Sequence, residues 1–582
     1  MNAAIPTAIA LLAYFLGYRF YSRFLADKVF MLSKKAVTPA HDLNDGIDYV
    51  PTRKWVLFGH HYASIAGLAP MLGPAVAVIW GWFPALMWVV LGSLLVGCVH
   101  DFGSMVVSLR AKGMSIGKVT EGIIGKRAKT LFHFVIFFLV ALAMGVFVYV
   151  IAFLFTPAPT PEQTGTHFPQ AVIPSFGLMI IAATIGWLGY KKQMNWNYLT
   201  PVGFILLLLL VIIAKNDTIL SATGLNNPEA APAVAGWSMI LLVYAFLASV
   251  LPVWSLLQPR DFLNSLLLYL GLGGLYIGFF ILQPAFVAPA IRLEPEGAPG
   301  LFPFVFIIIA CGAASGFHSL VASGTTAKQL DKETDARFIG YGGMVGESML
   351  GLIAVLATTA GIINSESWHQ QYASWASVQG LGAQVSVFIQ GCSTFLLSLG
   401  IDRYTGSSFI SLIVVSYALT SLDSATRLLR YNIEEISETF GIKIFQNRFL
   451  SSSMAVAAIG FFAFYKIDGR PAGLALWQLF GTTNQLLAGL ALLVVTIYLL
   501  QRGKPWYYTG VPMIFMLIST LNAMISNVFQ FFQKFEWPLF ILGLFLIVLA
   551  IWLIVEAILA VWKFIKRKEI IHSMNVFIPK KQ

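Results

Sequence analysis

Polar and ionisable side chains interrupt several long apolar runs of this chain, where they could carry a proton or hold an ion. A charged residue at bilayer depth costs about 2.5–3.5 kcal/mol on insertion scales, so such residues are read as functional by default. Histidine adds a pKa that moves across physiological pH with small changes in its surroundings. The residues expected to carry a proton or coordinate a coupling ion are His60, His61, Asp101, His318, Ser323 and Glu347.

The first two of these histidines open a run, residues 58–80, that is long enough to cross a bilayer but is interrupted in its middle. Lipid cannot satisfy the backbone groups that a break exposes, so the break must be buried in protein or line a wet cavity. The positive end of the second half-helix would favour an anionic group. A proline kink that only helps packing is the alternative. The helix breakers are Gly67, Pro70, Gly73 and Pro74.

A second interrupted helix is predicted at residues 236–257, which carry Pro252 past their middle. This run lies five spans after the first broken one and crosses the membrane in the opposite direction. Two interrupted helices in that relation are typical of a five-plus-five inverted repeat. Trp254 and Ser255 then become candidates for contact with substrate, although Trp254 could equally serve packing.

The run 301–323 carries a stripe of polar residues at helical spacing that would suit Na⁺ or a chain of water molecules. Interhelical hydrogen bonding is the alternative, since Ser is common at ordinary membrane helix interfaces. Together with the two breaks, this stripe completes the predicted substrate site. Its members are His61, Ser64, Gly67, Gly73, Trp254, Ser255, Ser315 and Ser319.

Three further groups of polar residues have other expected roles. A structural zinc ion held by His60, His61 and Asp101 stays open. Asp423 and Arg427 are four residues apart at a helix end, which favours a salt bridge. The polar run 482–485 interrupts an apolar span outside the expected core, where packing or a subunit contact is favoured.

Composition identifies the class of protein. Of 582 residues, 58% are hydrophobic and 11% charged, and the mean hydropathy is +0.78. Soluble globular proteins do not reach this apolar fraction, so we predict an all-α polytopic membrane protein. The net charge is +11, but the lysines and arginines cluster in loops beside the apolar runs, so the charge does not indicate nucleic-acid binding. The three cysteines have neither disulfide nor zinc-finger spacing.

Charge and hydropathy together predict about fifteen transmembrane helices, with the N-terminus outside and the C-terminus in the cytoplasm. Counting the polar-interrupted run 379–401 as a span would place basic loops outside, so we expect a helix at the outer surface or one that dips in part-way. The chain divides into an N-terminal helix and loop (1–57), an inverted-repeat transport core with two discontinuous helices (58–424) and C-terminal accessory helices (425–582).

Six runs of the chain resemble the carbon starvation protein A family. They are DLNDGIDYVPT (42–52), FGHHYASIAG (58–67), GPAVAVIWGW (73–82), VHDFGS (99–104), LDSATR (422–427) and LFGTTNQLLA (479–488). The resemblance implies a bacterial inner-membrane uptake transporter, related to the amino acid–polyamine–cation superfamily with its LeuT-like fold. Members are linked to peptide uptake on carbon starvation and to proton-coupled pyruvate uptake.

The expected function is therefore secondary active import of a small carboxylate such as pyruvate, or of a short peptide, by proton symport with alternating access. The protein is not expected to be an enzyme or to need a cofactor, with H⁺ as coupling ion and Na⁺ or a structural zinc as alternatives. Expected partners are the substrate and membrane lipid, not nucleic acid, and a homo-oligomer is compatible with the sequence. The alternative is a membrane redox protein in which intramembrane histidines bind haem or a metal.

Overall fold

The computed structural model describes residues 1–159, 166–378, 380–467 and 469–567, and these are mostly helical. Within them, eleven helices are long and apolar enough to cross a membrane, or twelve if one bent pair is counted as a single span. The predicted all-α polytopic membrane protein is confirmed. The predicted count of about fifteen spans is not established by helix length and composition.

The helices of the first half are α1 (Ala4–Val29), α2 (Lys54–Ile65), α3 (Ala69–Trp80), α4 (Trp82–Arg110), α5 (Ile116–Ile123), α6 (Lys126–Phe155), α7 (Pro169–Lys191), α8 (Trp196–Ile213), α9 (Val234–Val250) and α10 (Leu257–Leu282). The second half contains α11 (Leu301–Ile308), α12 (Gly316–Gly324), α13 (Glu333–Ala360), α14 (Leu381–Leu397), α15 (Arg403–Phe440), α16 (Arg448–Phe464), α17 (Trp477–Gln501), α18 (Tyr507–Gln533) and α19 (Trp537–Arg567). Shorter helical turns are Pro39–Asp42, Asp217–Ala222, Ser365–Gln371 and Ala472–Ala475, and a two-stranded hairpin pairs β1 (Lys466–Ile467) with β2 (Arg470–Pro471).

The first predicted break is confirmed: α2 and α3 meet at an angle of 46°. Two glycines let neighbouring backbone and side chains approach this break. A Cβ atom on Gly67 would lie 2.6 Å from Ser421 Oγ, and one on Gly73 would lie 2.5 Å from the carbonyl oxygen of Ile308. A larger residue at either position would push the neighbouring segments apart.

The second predicted break was wrong in its position. Helix α9 ends at Val250, and Leu251 is extended (φ −70°, ψ 150°), so Pro252 lies in the connection to α10 instead of inside a span. Proline disfavours helical backbone at the residue before it, which explains why the helix ends there. The run 301–323 is interrupted instead, between α11 and α12, where Gly312 adopts φ +88°.

Helix α14, which covers most of the run 379–401, lies along one end of the bundle. A Cβ atom on Gly382 would lie 3.4 Å from the ring of Phe153, near the end of α6. At its other end, the Ser398 hydroxyl donates to the carbonyl oxygen of Gly278 (2.8 Å), near the end of α10. Both ends of α14 therefore lie at the same end of the bundle, as the charge pattern predicts.

The opposite end of the bundle gathers the basic connections, and we call it the basic end. There the Tyr49 hydroxyl donates to the carbonyl oxygen of Lys112 (3.1 Å). The Trp254 indole donates to the carbonyl oxygen of Gly46 (3.1 Å). Segment 44–52, which precedes α2, thus contacts the connections that follow α4 and α9.

The longest helix, α15, extends from the far end of the bundle into the basic end. It begins after Asp402, whose Oδ1 accepts from the backbone N–H of Thr405 (2.9 Å), and it stops at Gly441, which takes a left-handed conformation (φ +71°). An aspartate cap and a glycine stop are common helix boundary signals. Between these two boundaries, 83% of the residues in the most apolar stretch of α15 are buried, so the helix belongs to the core.

Candidate functional site

The two helix breaks lie against each other in the middle of the bundle. A Cβ atom on Gly312 would lie 3.7 Å from Pro70 Cα in the first broken helix and 3.5 Å from Gly351 Cα in α13. Gly73 of α3 contacts Ile308 at the end of α11. The exposed backbone of both breaks is therefore covered by protein, which meets the requirement for non-helical backbone at membrane depth.

Helix α17 supplies hydrogen bonds to the second break. The side chain of Asn484 accepts from the backbone N–H of Phe317 (2.9 Å) and donates to Ser315 Oγ (3.0 Å). Gln485 donates to the carbonyl oxygen of Phe306 (3.0 Å). From the sequence, packing or a subunit contact is favoured for this polar run. Its polarity within an apolar helix is also a signal of buried hydrogen bonding.

Directly beside the second break, three of the predicted coupling residues form one buried cluster. Nδ1 of His318 (α12) donates to Oδ2 of Asp101 (α4) at 2.9 Å. Nδ1 of His100 donates to the other Asp101 oxygen at 2.7 Å. Nε2 of His318 lies 3.3 Å from Oε1 of Glu347 on α13. All four side chains are fully buried, so the cluster joins three helices by charge in a dry environment.

Cys311, which the sequence analysis did not select, completes this cluster from the second break. Among the described residues, Cys311, His318 and Glu347 form a group whose ligand atoms all lie within 4.8 Å of one another. A lone cysteine in an apolar run gives no signal of its own, and its neighbours in space come from a different part of the chain. The three residues could hold a metal ion.

The zinc set considered from the sequence does not come together. Nδ1 of His60 donates to Oδ2 of Asp261 on α10 (2.6 Å), whereas Nδ1 of His61 lies 2.9 Å from the hydroxyl of Thr326. Asp101 is engaged by the cluster described above. His60 and His61 thus bond to different segments, α10 and the turn that follows α12.

Asp423 and Arg427 do not form the expected salt bridge, so that prediction was wrong. Asp423 is paired with Arg260 and with the hydroxyl of Tyr244. Nη1 of Arg427 instead binds Oδ1 of Asp48 at 2.6 Å. Both side chains of α15 are buried, and each meets a partner on another segment.

The predicted serines have mixed positions. Ser64 bonds Ser424 (2.8 Å), which ties α2 to α15 beside the first break. Ser319 and Ser323 donate to carbonyl oxygens of their own helix, Gly316 (2.7 Å) and Ser319 (2.6 Å). Ser255 and Trp254 lie in the connection at the basic end, where Ser255 donates to the carbonyl oxygen of Pro252. The structure therefore does not bring Trp254 and Ser255 to the helix breaks.

A cavity of about 1050 Å³ opens at the end opposite the basic end, and we call it the vestibule. Arg470 and Lys534 are exposed residues of its lining, whereas Gly73 and Cys311 line it at the two breaks. Its volume is at the upper end of the range of typical small-molecule sites, about 300–1000 Å³. The vestibule thus connects one end of the bundle with the centre.

The basic end is closed by an ion cluster. Asp48 of segment 44–52 binds Arg427 (2.6 Å) and Arg430 (3.2 Å) on α15. Burial alone would raise the pKa of Asp48, but Arg427, Arg430 and Lys328 hold it well below its ordinary value. Asp48 is therefore charged at neutral pH and holds the segment against the bundle.

Comparison with known proteins gives a consistent set of relatives. The family model described as Carbon starvation protein CstA matches residues 2–395 and 371–523. The Peptide transporter CstA of Campylobacter jejuni is 31% identical, over 91% of this chain and 81% of that protein. The Pyruvate/proton symporter BtsT of Escherichia coli is 30% identical, over 89% of this chain and 80% of that protein.

Among solved structures, a manganese transporter of Eremococcus coleocola is 13% identical, covers 90% of this chain and 99% of its own, and has a TM-score of 0.47. The nucleobase-cation-symport transporter MHP1 is 12% identical, with coverage of 91% and 97% and a TM-score of 0.38. Neither TM-score reaches 0.5, so these two likenesses carry no argument about the fold.

Proposed function

Because the chain belongs to the carbon starvation protein CstA family, we propose that it imports a small carboxylate such as pyruvate, or a short peptide, by alternating access. It is a multi-pass membrane transporter and not an enzyme. Relatives named for peptide transport and for pyruvate/proton symport support both substrate classes. The orientation proposed from the charges, with the N-terminus outside and the basic loops inside, makes the vestibule face the outside.

One observation carries this proposal: two helix breaks lie together at the inner end of the vestibule. Half-helix ends at a central cavity are a recurring way in which secondary transporters hold substrate. The N-terminal ends of α3 and α12 lie in this region, and a carboxylate is the group that the positive end of a helix favours. We place the substrate carboxylate between Gly67 and Gly73, against these helix ends.

Packing supports an inverted repeat whose order differs from the predicted one. Helices α4 and α13 each pack against one half of the other repeat's broken helix: α4 on α12, and α13 on α3. Two further helix pairs correspond between the repeats. Helix α10 packs on α2 in the first repeat, as α17 packs on α12 in the second. Helix α9 packs on α6 in the first repeat, as α16 packs on α15 in the second. We propose two five-helix repeats, with α7 and α8 inserted into the first, so that the core extends to residue 501.

For coupling, we propose that a proton travels with the substrate and that His61 carries it. The name of the relative BtsT includes proton symport. His61 joins the first broken helix to the turn that follows α12 through its bond to Thr326, and its Nε2 is buried without a hydrogen-bond partner among the described residues. Asp101, His318 and His60 are the charged or titratable groups that act on it electrostatically.

The test is uptake of labelled pyruvate and of a labelled dipeptide into sealed proteoliposomes, with a pH gradient and a voltage imposed separately. A pyruvate anion moving with one proton carries no net charge, so voltage should not drive it, while each pH unit supplies about 1.4 kcal/mol. A zwitterionic dipeptide moving with one proton carries one charge, and 100 mV should add about 2.3 kcal/mol. Uptake of neither compound under either gradient would exclude the proposal.

The His61→Gln variant tests the proton carrier. We expect uptake that no longer depends on pH between 5 and 8, because glutamine keeps a hydrogen-bonding group but does not titrate there. His369→Gln, at an exposed position far from the breaks, is the matched control and should keep the pH dependence. A His61→Gln variant with the wild-type pH profile would remove His61 from the coupling step.

A further inference from the structure

The orientation of His318 determines what its free nitrogen can bind. Asp101 accepts from His318 Nδ1 and from His100 Nδ1, so the Nδ1 of His318 carries the hydrogen. In the neutral ring the other nitrogen, Nε2, then presents a lone pair. That lone pair faces a Glu347 carboxylate oxygen at 3.3 Å. Two acceptors that face each other repel unless a positive charge lies between them.

The hydrogen-bonding capacity of this contact is not met by well-aligned partners among the described residues. His318 Nε2 and both carboxylate oxygens of Glu347 are buried and have no hydrogen-bond partner among the described residues. The Sγ atom of Cys311 is the third atom directed at the same point. Leaving buried polar atoms unpaired costs about 1–3 kcal/mol each, more when they are charged. Three convergent ligand atoms in a buried site are what a metal ion needs.

We propose that Cys311, His318 and Glu347 bind a thiophilic divalent cation, with Zn²⁺ as the best match. Thiolate, imidazole and carboxylate are the protein ligands of Zn²⁺, at about 2.0–2.3 Å. Such bonds in a tetrahedron separate ligand atoms by roughly 3.3–3.7 Å. The present separations, all within 4.8 Å, require only a small contraction.

Charge favours the same occupant. A Zn²⁺ ion with one thiolate, one carboxylate and one neutral imidazole forms a site with no net charge, which lowers the cost of burying its ligands. Ser315 Oγ lies 3.2 Å from Cys311 Sγ and can donate its hydrogen to the thiolate. A sodium ion would not gain from the sulfur ligand, because thiolates prefer softer metals.

The surroundings of the site match those of known zinc sites. A metal-binding histidine usually donates its other N–H to a carboxylate, which fixes the ring and raises its basicity. Asp101 does this for His318, and His100 in turn donates to Asp101. Cys311 also lines the vestibule, which provides an entry path for the ion. This inference gives His318 and Glu347 a role as ligands in place of the proton-carrying role expected from the sequence.

The experiment uses the purified full chain in detergent, stripped with a chelator and titrated with Co²⁺, which replaces Zn²⁺ and absorbs visible light. We expect one Co²⁺ per chain, a thiolate-to-metal charge-transfer band, and loss of that band in Cys311→Ser. Cys98→Ser and Cys392→Ser remove buried thiols elsewhere and should keep the band. Asp101→Asn should weaken binding about 10–100-fold. A missing band, or one that persists in Cys311→Ser, overturns the proposal.

A second measurement avoids changing the ligands. In a Cys98→Ser/Cys392→Ser background, Cys311 is the sole thiol of the chain. Zn²⁺ should slow its alkylation by a small thiol reagent, and Mg²⁺ at the same concentration should not. Alkylation at the same rate with and without Zn²⁺ would overturn the metal site. Because neither readout uses substrate, the metal site and the proposed transport can fail independently.

Discussion

Two polar side chains, one at the basic end and one beside the second break, show how much single residues contribute to closing and shaping the central site. Asp48 holds a connecting segment to the core by charge, and Asn484 satisfies backbone groups that a helix break exposes. Each is one polar group that meets several partners from elsewhere in the chain. Removing either one therefore leaves the partners unpaired, which costs more than the contact itself.

Replacing Asp48 with Asn should destabilise the protein at neutral pH, by about 3 kcal/mol, because Arg427 and Arg430 lose their counter-charge. The folded-state pKa of Asp48 lies below its ordinary value of 3.8, so this stabilisation is complete above pH 4 and is lost as pH falls further. Thermal unfolding in detergent should show wild type and variant converging below pH 4. A constant difference from pH 7 to pH 3 would contradict the assignment.

Asn484→Ala should lower stability by about 1–3 kcal/mol, because it leaves the Phe317 N–H without its acceptor and Ser315 without its donor. It should also weaken substrate binding, since the second break loses its support. Thr482→Ala, two residues away, is the matched control, because that hydroxyl bonds only the Leu479 carbonyl of its own helix among the described residues. Equal melting temperatures and substrate Kd values for the two variants would contradict this role.

At the residue scale, the sequence identified which side chains are functional candidates better than it identified the residues they bond to. A histidine or carboxylate in an apolar run is visible from hydropathy alone, and Asp101, His318 and Glu347 do meet. Cys311 has no such mark, because cysteine is ordinary in apolar helices. The partner of Arg427 also could not be predicted, since Asp48 is distant in sequence and the nearby Asp423 satisfies the helical spacing.

At the scale of elements, the two breaks have different origins, and this explains why only one was found. The first contains glycine and proline close together, a direct signal of interrupted helix. The second is formed around Gly312, and its polar support comes from α17. Pro252 gave a stronger local signal of an interrupted helix than Gly312 did, but α9 ends before this proline instead of bending at it. Tertiary hydrogen bonds stabilise the second break, and local sequence does not report them.

Close packing of the breaks predicts a sharp effect at Gly73. In Gly73→Ala the new Cβ would lie 2.5 Å from the Ile308 carbonyl oxygen, which forces α3 and α11 apart. We expect at least a tenfold loss of uptake with normal insertion into the membrane. Gly273→Ala on α10 is the control, because no atom lies within 4 Å of a Cβ there. Comparable uptake by both variants, measured at equal protein levels, would contradict the close approach.

At the scale of the whole molecule, one end is open and the other is closed. The vestibule leads from the rim to the breaks, while segment 44–52 and its ion cluster cover the basic end. The overall class and the first interrupted helix followed from hydropathy, glycine and proline. Which end of the bundle is open could not be predicted from hydropathy and charge, because it depends on how distant segments pack.

Charge at the rim predicts a salt-sensitive uptake rate. Arg470 and Lys534 are exposed lining residues of the vestibule that should attract anions and that balance the lining carboxylates Glu296 and Glu536. Replacing both with Gln should slow the uptake of anionic pyruvate several-fold at low ionic strength, and much less at 0.5 M salt, where charges are screened. Uptake of a zwitterionic dipeptide should change little. A loss that is independent of salt would point to a role in structure instead.

The hydrogen bond between Ser64 and Ser424 joins residues 360 positions apart, which has a consequence for biosynthesis. At about 5–20 residues per second, the ribosome adds the second serine roughly 20–70 s after the first. During that interval the interrupted helix has emerged but lacks the neighbours that cover its exposed peptide groups. The insertion machinery must therefore shelter it from lipid until the later helices arrive, and nascent chains that end before α15 should be substrates for membrane proteases.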